Sequence, residues 1–411
     1  MASDVLTIRA SRLASHAALA AVLVLYCLLS LWLTRHVPVG NPPDERQHFA
    51  QIERVRQHLP TDFRTQPRGS EAIQPPLYYH LTAALSVVTG LEPSRLRLFS
   101  TLCGLLTICL TWRLGRAWLP HAPPIVPLAA AAAVGFLPMN LYVTSALSND
   151  SLTNLLIALG LLLLWRALER GPTAPRLLGL GLVCGLALMS KSTSLCLLVV
   201  VLTALVFSRR PWRRRLLGVG LVCAGLLLVC GGWFVHNQRT YGDPLAAGAL
   251  SRVAQDVFPG RTTISVAERV GTALRTHYLS ESFWGVYDSM VSEQDFMPWG
   301  VYYGLNLWGL AGLLGLLLAA RRLPRLRPPA RVFRGALLAG FLALLGAYLS
   351  YNLVAPSAQG RYFFGLLPPL FLLLCSGLSR LLPGLPGAYL PAGFALSLLA
   401  VSLWAMTHCM V

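Results

Sequence analysis

The chain predicts an all-α polytopic membrane protein of about eleven transmembrane helices. Two features of its composition point there: 55% of its 411 residues are hydrophobic and only 12% are charged. Uncharged apolar runs of about 18 residues or more recur along it, long enough to cross a hydrocarbon core about 30 Å thick. The third observation is that the basic residues sort by side, since alternate connections between the runs are rich in arginine and poor in acid.

Taken in order, Arg9 and Arg12 precede an apolar stretch from Ala14 to Leu33. This resembles an uncleaved signal anchor more than a removable signal peptide and places the N-terminus in the cytoplasm. Further spans are expected near 96–117, 124–141, 150–167, 216–235, 299–319, 334–353, 362–380 and 386–407, with two short apolar segments around 177–208. Residues 1–411 read as a single integral membrane domain, multi-pass in a cell membrane. Two outer loops, 36–95 and 236–298, are long enough to have structure of their own, and function is sought there first.

The net charge of +18 raises the question of nucleic acid. Nineteen of the 34 Lys and Arg fall in the segments expected to be cytoplasmic, such as Arg209 to Arg215 and Arg321 to Arg334, against two of the 16 carboxylates, Asp4 and Glu169. The basicity is therefore a topology signal, and no nucleic-acid partner follows from it. All nine Cys lie in or beside apolar segments with no Cys-x-x-Cys, which leaves no disulfide framework or thiolate metal site to argue from.

The first outer loop begins Asn41-Pro-Pro-Asp44-Glu45-Arg-Gln-His48-Phe49. Asn41 and Pro42 suit a helix start, and two acids in the first turn favour its positive end. Phe49, Ile52, Val55 and Leu59 recur at helical spacing, so this helix is expected to lie on the membrane surface. Asp44 and Glu45 stand four and three residues before His48, which brings both acids near one imidazole. Such a carboxylate either does no more than stabilise the helix start, accepts a proton from an acceptor nucleophile, or helps ligate a divalent cation. Gln74-Pro-Pro-Leu-Tyr78-Tyr79 opens a second surface helix before the next span, its aromatics suited to the interface.

Lys191 is the sole lysine, between the apolar stretches Leu177–Met189 and Leu195–Phe207. About 14 residues at ~1.5 Å per residue reach only ~21 Å, so Lys191 belongs at the tip of a short hairpin below the outer surface. An ammonium there either faces an anion or cavity, or snorkels to the interface. Asp150, in Ser148-Asn-Asp150, stands near the same face and either caps a helix or belongs to a site. Arg239, in Arg239-Thr-Tyr-Gly-Asp243-Pro, and Arg361, in Gln359-Gly-Arg361-Tyr362, open outer ends of spans. Outer arginines run against the orientation bias, which makes them better anion-binding candidates than the inner ones.

These strings, in this order, resemble the GT-C superfamily of membrane glycosyltransferases. More narrowly the chain is similar to bacterial multi-pass sugar transferases related to protein O-mannosyltransferases and the lipid A aminoarabinose transferase. Ser282-Phe-Trp-Gly285 fits that bacterial pattern too, and the resemblance runs from about residue 14 to 382. It implies a GT-C-like fold in a bacterial inner membrane and a polyprenyl-phosphate sugar donor. It also implies an envelope lipid, glycan or protein acceptor and an active site facing the periplasm. It implies Asp44 as base or acceptor-positioning group with Glu45 assisting, and Lys191, Arg239 and Arg361 offered to the donor phosphate. His48, Gln74, Tyr78, Tyr79 and Asp150 are expected around the substrate, and Asp44, Asp150 and His48 are the candidate ligands of a Mg or Mn ion. Aminoarabinose transferases carry lysine where this chain has Gln74, so the phosphate must be held by another residue, and Lys191 is the choice. A transporter or flippase of lipid-linked sugars is the non-enzyme alternative. A polymerase or ligase working from the second outer loop, through Arg239 and His277, is the other enzyme.

Overall fold

The computed structural model describes residues 2–59, 74–249, 251–252, 263–287, 296–319, 326–355, 358–382 and 384–410. It is nearly all helical, with one isolated bridge between Val286 and Phe296 as the sole β pairing among the described residues. The helices are α1 (Ala2–His36), α2 (Glu45–Arg56), α3 (Leu77–Thr89), α4 (Pro93–Trp118), α5 (Ile125–Phe136), α6 (Pro138–Thr144), α7 (Asn149–Arg170) and α8 (Ala174–Ser190). They continue as α9 (Leu195–Val206), α10 (Trp212–Tyr241), α11 (Val266–Leu274), α12 (Thr276–Trp284), α13 (Trp299–Ala319), α14 (Pro328–Asn352), α15 (Leu367–Leu378) and α16 (Leu385–His408), with 3-10 turns at Ser192–Ser194 and Gly360–Leu366.

Eight of these helical segments are long and apolar enough to cross a membrane, those of α1, α4, α7, α10, α13, α14, α16 and the segment Gly360–Leu378 that contains α15. The stretch expected as one span near 124–141 is instead broken between α5 and α6, with a bend of 61°. Pro138 opens α6, and a proline there removes the amide that would continue the hydrogen-bond ladder of α5. α8 and α9 are the two short apolar segments foreseen around 177–208. Among the described residues, eight helices are long and apolar enough to span, nine with the bent pair, and the expected count of about eleven also includes the two short segments α8 and α9.

The stretches 177–184 and 216–223 share the pattern Leu-Leu-Gly-x-Gly-Leu-Val-Cys, and this likeness has a packing explanation. Those stretches lie against each other in α8 and α10, where a Cβ on Gly181 would overlap the carbonyl of Val222 and one on Gly225 the carbonyl of Leu178. Without a hydrophobic force between helices in lipid, such close backbone approach is what holds a pair together. At the opposite ends of the spans from Lys191, Arg327 before α14 reaches Glu169 of α7 at 3.5 Å. These two residues were both expected on the cytoplasmic side, and their contact puts the ends of α7 and the start of α14 on one face.

α2 packs against α3. Its apolar face is closed by Ile52, which is fully buried, and by His48 and Gln51 beside it. That packing, and the loop from α1 that leads into it, sets the position of Asp44.

Candidate active site

Asp44 precedes α2 with φ 61° and ψ 7°, a left-handed conformation. For a residue with a Cβ this costs about 1–2 kcal/mol, and Asp is one of the few that adopt it. The kink separates two neighbouring acids. Asp44 keeps 43% of its side chain exposed, whereas Glu45 is fully buried.

Glu45 is taken up by Arg97 of α4. The guanidinium uses all five of its N–H bonds: two go to the Glu45 carboxylate at 2.7 and 2.6 Å, two to the carbonyls of Thr34 and Val37 at 3.1 and 2.8 Å, and one to Pro38 at 3.2 Å. Arg97 thereby caps the Thr34 carbonyl at the end of α1 and the Val37 carbonyl just beyond it, where a cation also suits the helix dipole, while the Pro38 carbonyl also accepts from the amide of Asn41 at 3.3 Å. The carboxylate in turn accepts from the amides of Gly40 at 2.8 Å and Leu147 at 2.9 Å. This junction ties α1, the first loop, α4 and the entry to α7 together. Arg97 was not singled out from the sequence, although an arginine inside the apolar stretch 96–117 was the signal for it.

From Asp44 a chain of charges runs inward. Asp44 accepts a hydrogen bond from Nη2 of Arg361, Nη1 of Arg361 stands 3.5 Å from Asp150 Oδ2, and Asp150 Oδ1 accepts from Lys191 Nζ at 2.5 Å. Arg361, Asp150 and Lys191 are 2%, 6% and 8% exposed, so Asp44 is the open end of the chain. Tyr362 covers the two cations, with its ring centre 5.6 Å from the Lys191 ammonium and 5.7 Å from the Arg361 guanidinium carbon. Two polar atoms in the middle, Asp150 Oδ2 and Arg361 Nη1, are buried without a hydrogen-bond partner, and so is the amide of Asn149 beside them. Buried polar atoms left open in this way mark where a further polar group fits.

Each charge is placed by its element. Asp150 stands in the first turn of α7, at its positive end, with Ser148 capping its amide at 3.2 Å. Lys191 terminates α8 in an extended conformation, and the hairpin is held to α7 by Thr153, which donates to Ser190 Oγ at 2.9 Å. Arg361 sits in a 3-10 turn docked on α12: the amide of Gly360 donates to Ser282 Oγ at 2.7 Å. A Cβ at Gly360 would lie 2.5 Å from Phe283, so only glycine permits that approach. This gives Ser282-Phe-Trp-Gly285 a positional role.

His48 lies next to the chain, its Nδ1 3.0 Å from the hydroxyl of Tyr79. Burial drives its imidazole below the ordinary range, to about 4, against the opposing pull of Asp44. Burial also pushes the Asp44 carboxyl up, but Arg361, then His48 and Lys191, outweigh this and hold it at about 2. At neutral pH Asp44 is therefore ionised and His48 neutral.

The remaining expected residues are placed differently. Tyr78 points to Ser100 of α4, at 3.0 Å between oxygens, and Gln74 is half-buried at the approach to α3. Arg239 is exposed near the end of α10, with no ion pair to the chain among the described residues. The side chain of His277 lies outside the described residues.

A Mg or Mn ion suits this donor set poorly. The two candidate carboxylates already face Arg361 and Lys191, and no group of three or more His, Cys, Asp and Glu able to hold a metal occurs among the described residues. A divalent cation there would meet two fixed positive charges.

Residues 73–233 match the family model for dolichyl-phosphate-mannose-protein mannosyltransferases. The fold is similar to that of the Archaeoglobus fulgidus oligosaccharyltransferase tethered with an acceptor peptide, with a TM-score of 0.56 and 15% identity over 95% of this chain and 55% of that one. It is also similar to ArnT from Cupriavidus metallidurans bound to undecaprenyl phosphate, with a TM-score of 0.53 and 17% identity over 94% of this chain and 63% of that one. The same archaeal enzyme bound to an inhibitory peptide and a dolichol-phosphate gives 0.53 and 15%, over 95% and 55%. The chain thus spans less than two thirds of the length of these structures, and no curated protein sequence matches it. The family match covers 161 of the 411 residues, and the likeness to these structures shows a shared membrane fold.

Proposed function

We propose that the protein transfers a sugar from a polyprenyl-phosphate-linked donor to a cell-envelope acceptor, with inversion, on the membrane face where Asp44 opens. One observation carries this reading: a single ion chain joins an exposed carboxylate to two buried cations. In an inverting displacement the acceptor hydroxyl attacks the anomeric carbon, its proton passes to a base, and the bond to the lipid phosphate breaks with charge building on the phosphate. Such a reaction needs a carboxylate on the acceptor side and fixed cations on the leaving-group side.

Asp44 is the base on this reading. Arg361, whose Nη1 has no hydrogen-bond partner, and Lys191 receive the phosphate. Donor binding draws Arg361 from Asp44 to the phosphate. The contact that holds the Asp44 carboxyl near 2 is then weakened, and the group becomes a better proton acceptor as the leaving group arrives. Glu45 anchors the loop through Arg97, and His48 with Tyr79 fixes α2 beside the reacting carboxylate. Lipid phosphates bound in the archaeal oligosaccharyltransferase and in ArnT support the donor class. A lipid, a glycan and a protein all remain inside the proposal as acceptors.

The test uses the protein reconstituted in liposomes with a panel of radiolabelled polyprenyl-phosphate sugars and an envelope extract as acceptor. Loss of label from one donor by the wild type, absent in Asp44→Asn at equal protein abundance, supports the reading. Equal loss in Asp44→Asn removes the base assignment, and no loss from any donor removes the transferase.

A further inference from the structure

A cavity of about 560 Å³ opens between α9 and α14, at the opposite ends of these helices from Lys191 and Arg361. Its walls are apolar and face lipid: Phe207, Leu338 and Leu342 are 70%, 61% and 59% exposed. At its mouth stand Arg209 and Arg331, both exposed and neither in an ion pair among the described residues. Glu169, the acid at the neighbouring end of α7, is occupied by Arg327. The groove runs along α14 from Arg331 to Leu342, about 16 Å at ~1.5 Å per residue, which is the depth of one leaflet of a ~30 Å core.

We propose that this groove binds one anionic phospholipid of the leaflet facing away from the active site, its phosphate between Arg209 and Arg331 and an acyl chain along Phe207, Leu338 and Leu342. The groove is indented, and it ends in two guanidinium groups that attract an anion. A phosphate at the headgroup level with a chain below it satisfies both features together, whereas a soluble anion satisfies the first and leaves the apolar recess unfilled. The positive-inside rule makes this face the cytoplasmic one, where anionic headgroups lie. The site is separate from the donor site, which opens on the other face.

Two variants remove the two halves of the site independently. Arg209→Gln with Arg331→Gln deletes the charge. Gly335→Leu fills the recess, and a Cβ on Gly335 meets nothing within 4 Å, so this change is tolerated by the fold. The assay is native mass spectrometry of the detergent-purified chain titrated with phosphatidylglycerol, phosphatidylcholine, inorganic phosphate or undecaprenyl phosphate. Phosphatidylglycerol is expected to form a one-to-one adduct that weakens about 30-fold in the double arginine variant, the ~2 kcal/mol due to two basic groups near a lipid surface. Gly335→Leu is expected to lose the adduct as well, and Asp44→Asn to keep it. The proposal is overturned if phosphatidylcholine binds equally well, if inorganic phosphate alone competes the lipid away, if undecaprenyl phosphate displaces it, or if either variant retains wild-type affinity.

Discussion

Glu45→Gln isolates what the buried acid contributes, because Asp44, next to it in the chain, supplies the control. Glu45 accepts four hydrogen bonds, two from Arg97 and one each from the amides of Gly40 and Leu147. A glutamine keeps one accepting oxygen and presents an amide donor where the other was, so donor faces donor at one end and the Arg97 charge is left without a counter-ion at zero exposure of its partner. Breaking a buried pair from one side costs about 3–5 kcal/mol. For a chain of this size that is a fall of roughly 3–6 °C in the midpoint of thermal unfolding. The assay is intrinsic-fluorescence melting in detergent, run beside Asp44→Asn. The second variant removes a charge that is 43% exposed and leaves Arg361 with Asp150 at 3.5 Å, so it is expected to melt closer to wild type than Glu45→Gln while losing transfer. Restoring the apolar balance with Arg97→Met in the Glu45→Gln background is not expected to recover stability, since the carbonyls of Thr34 and Val37 then lose their donor. Equal midpoints for Glu45→Gln and wild type would refute the assignment of Glu45 to structure, and with it the division of labour between the two acids.

His48 gives a pH dependence of defined sign. Its imidazole is held near 4 by burial against an ordinary 6.5, so the fold disfavours the charged form; stability is whole above pH 6.5 and is lost as pH falls towards 4, by about 3 kcal/mol. The slope in that window is expected to flatten in His48→Gln, and an unchanged slope assigns it elsewhere. Lys191→Ala is expected to raise the donor concentration needed for half-maximal rate at least tenfold, and an unchanged dependence removes Lys191 from the phosphate site. Gly360→Ala, which drives a Cβ into Phe283, is expected to cut transfer strongly by shifting Arg361, with the oligomeric and folded state unaltered by size-exclusion chromatography; wild-type rates would refute that positioning. Transfer is expected to survive EDTA, because Arg361 and Lys191 take the place of a cation at the leaving group. Loss of activity on chelation, restored by Mg or Mn, would overturn this.

Asp44, Asp150, Lys191 and Arg361 could be singled out in the sequence on separate grounds: Lys191 because an ammonium between two apolar runs requires explanation, Arg361 because outer arginines run against the orientation bias, and Asp44 and Asp150 by their places after spans on the same side. Which charge meets which was not legible, since Asp44 and Arg361 are 317 positions apart and only the stacking of spans brings them together. The difference between Asp44 and Glu45 was hidden as well. Adjacent residues in a helix start look interchangeable until the backbone at Asp44 turns left-handed and sends the two carboxylates in opposite directions. Arg239 shows the converse. An outer arginine after a span has the same sequence signature as Arg361, but the end of α10 leaves it exposed, outside the ion chain. The break at Pro138 had a plain signal, a proline within a run read as one span. Hydropathy averages over such a residue, and the hydrogen-bond ladder does not.

The charge balance of the cluster links donor binding to the chemistry. Asp44 and Asp150 offset Arg361 and Lys191, and His48 is neutral above pH 4, so the resting site carries no net charge. A sugar phosphodiester adds one negative charge to a place where three of the four ions are buried, and the field must be relieved. Asp150 cannot be the group that responds, because its short bond to Lys191 and its place at the positive end of α7 hold it ionised. Asp44 can: it is the exposed end, and its only ion pair among the described residues is the one that the phosphate takes away. A carboxylate deprived of its guanidinium beside an incoming anion gains proton affinity, which is what a base needs at the moment the acceptor hydroxyl arrives. Binding of a non-transferable donor analogue is therefore expected to take up a fraction of a proton between pH 3 and 5, measured by calorimetry in buffers of different ionisation enthalpy. The uptake is expected to vanish in Asp44→Asn. Uptake that persists in that variant would show that another group absorbs the charge, and Asp44 would then orient the acceptor without accepting its proton.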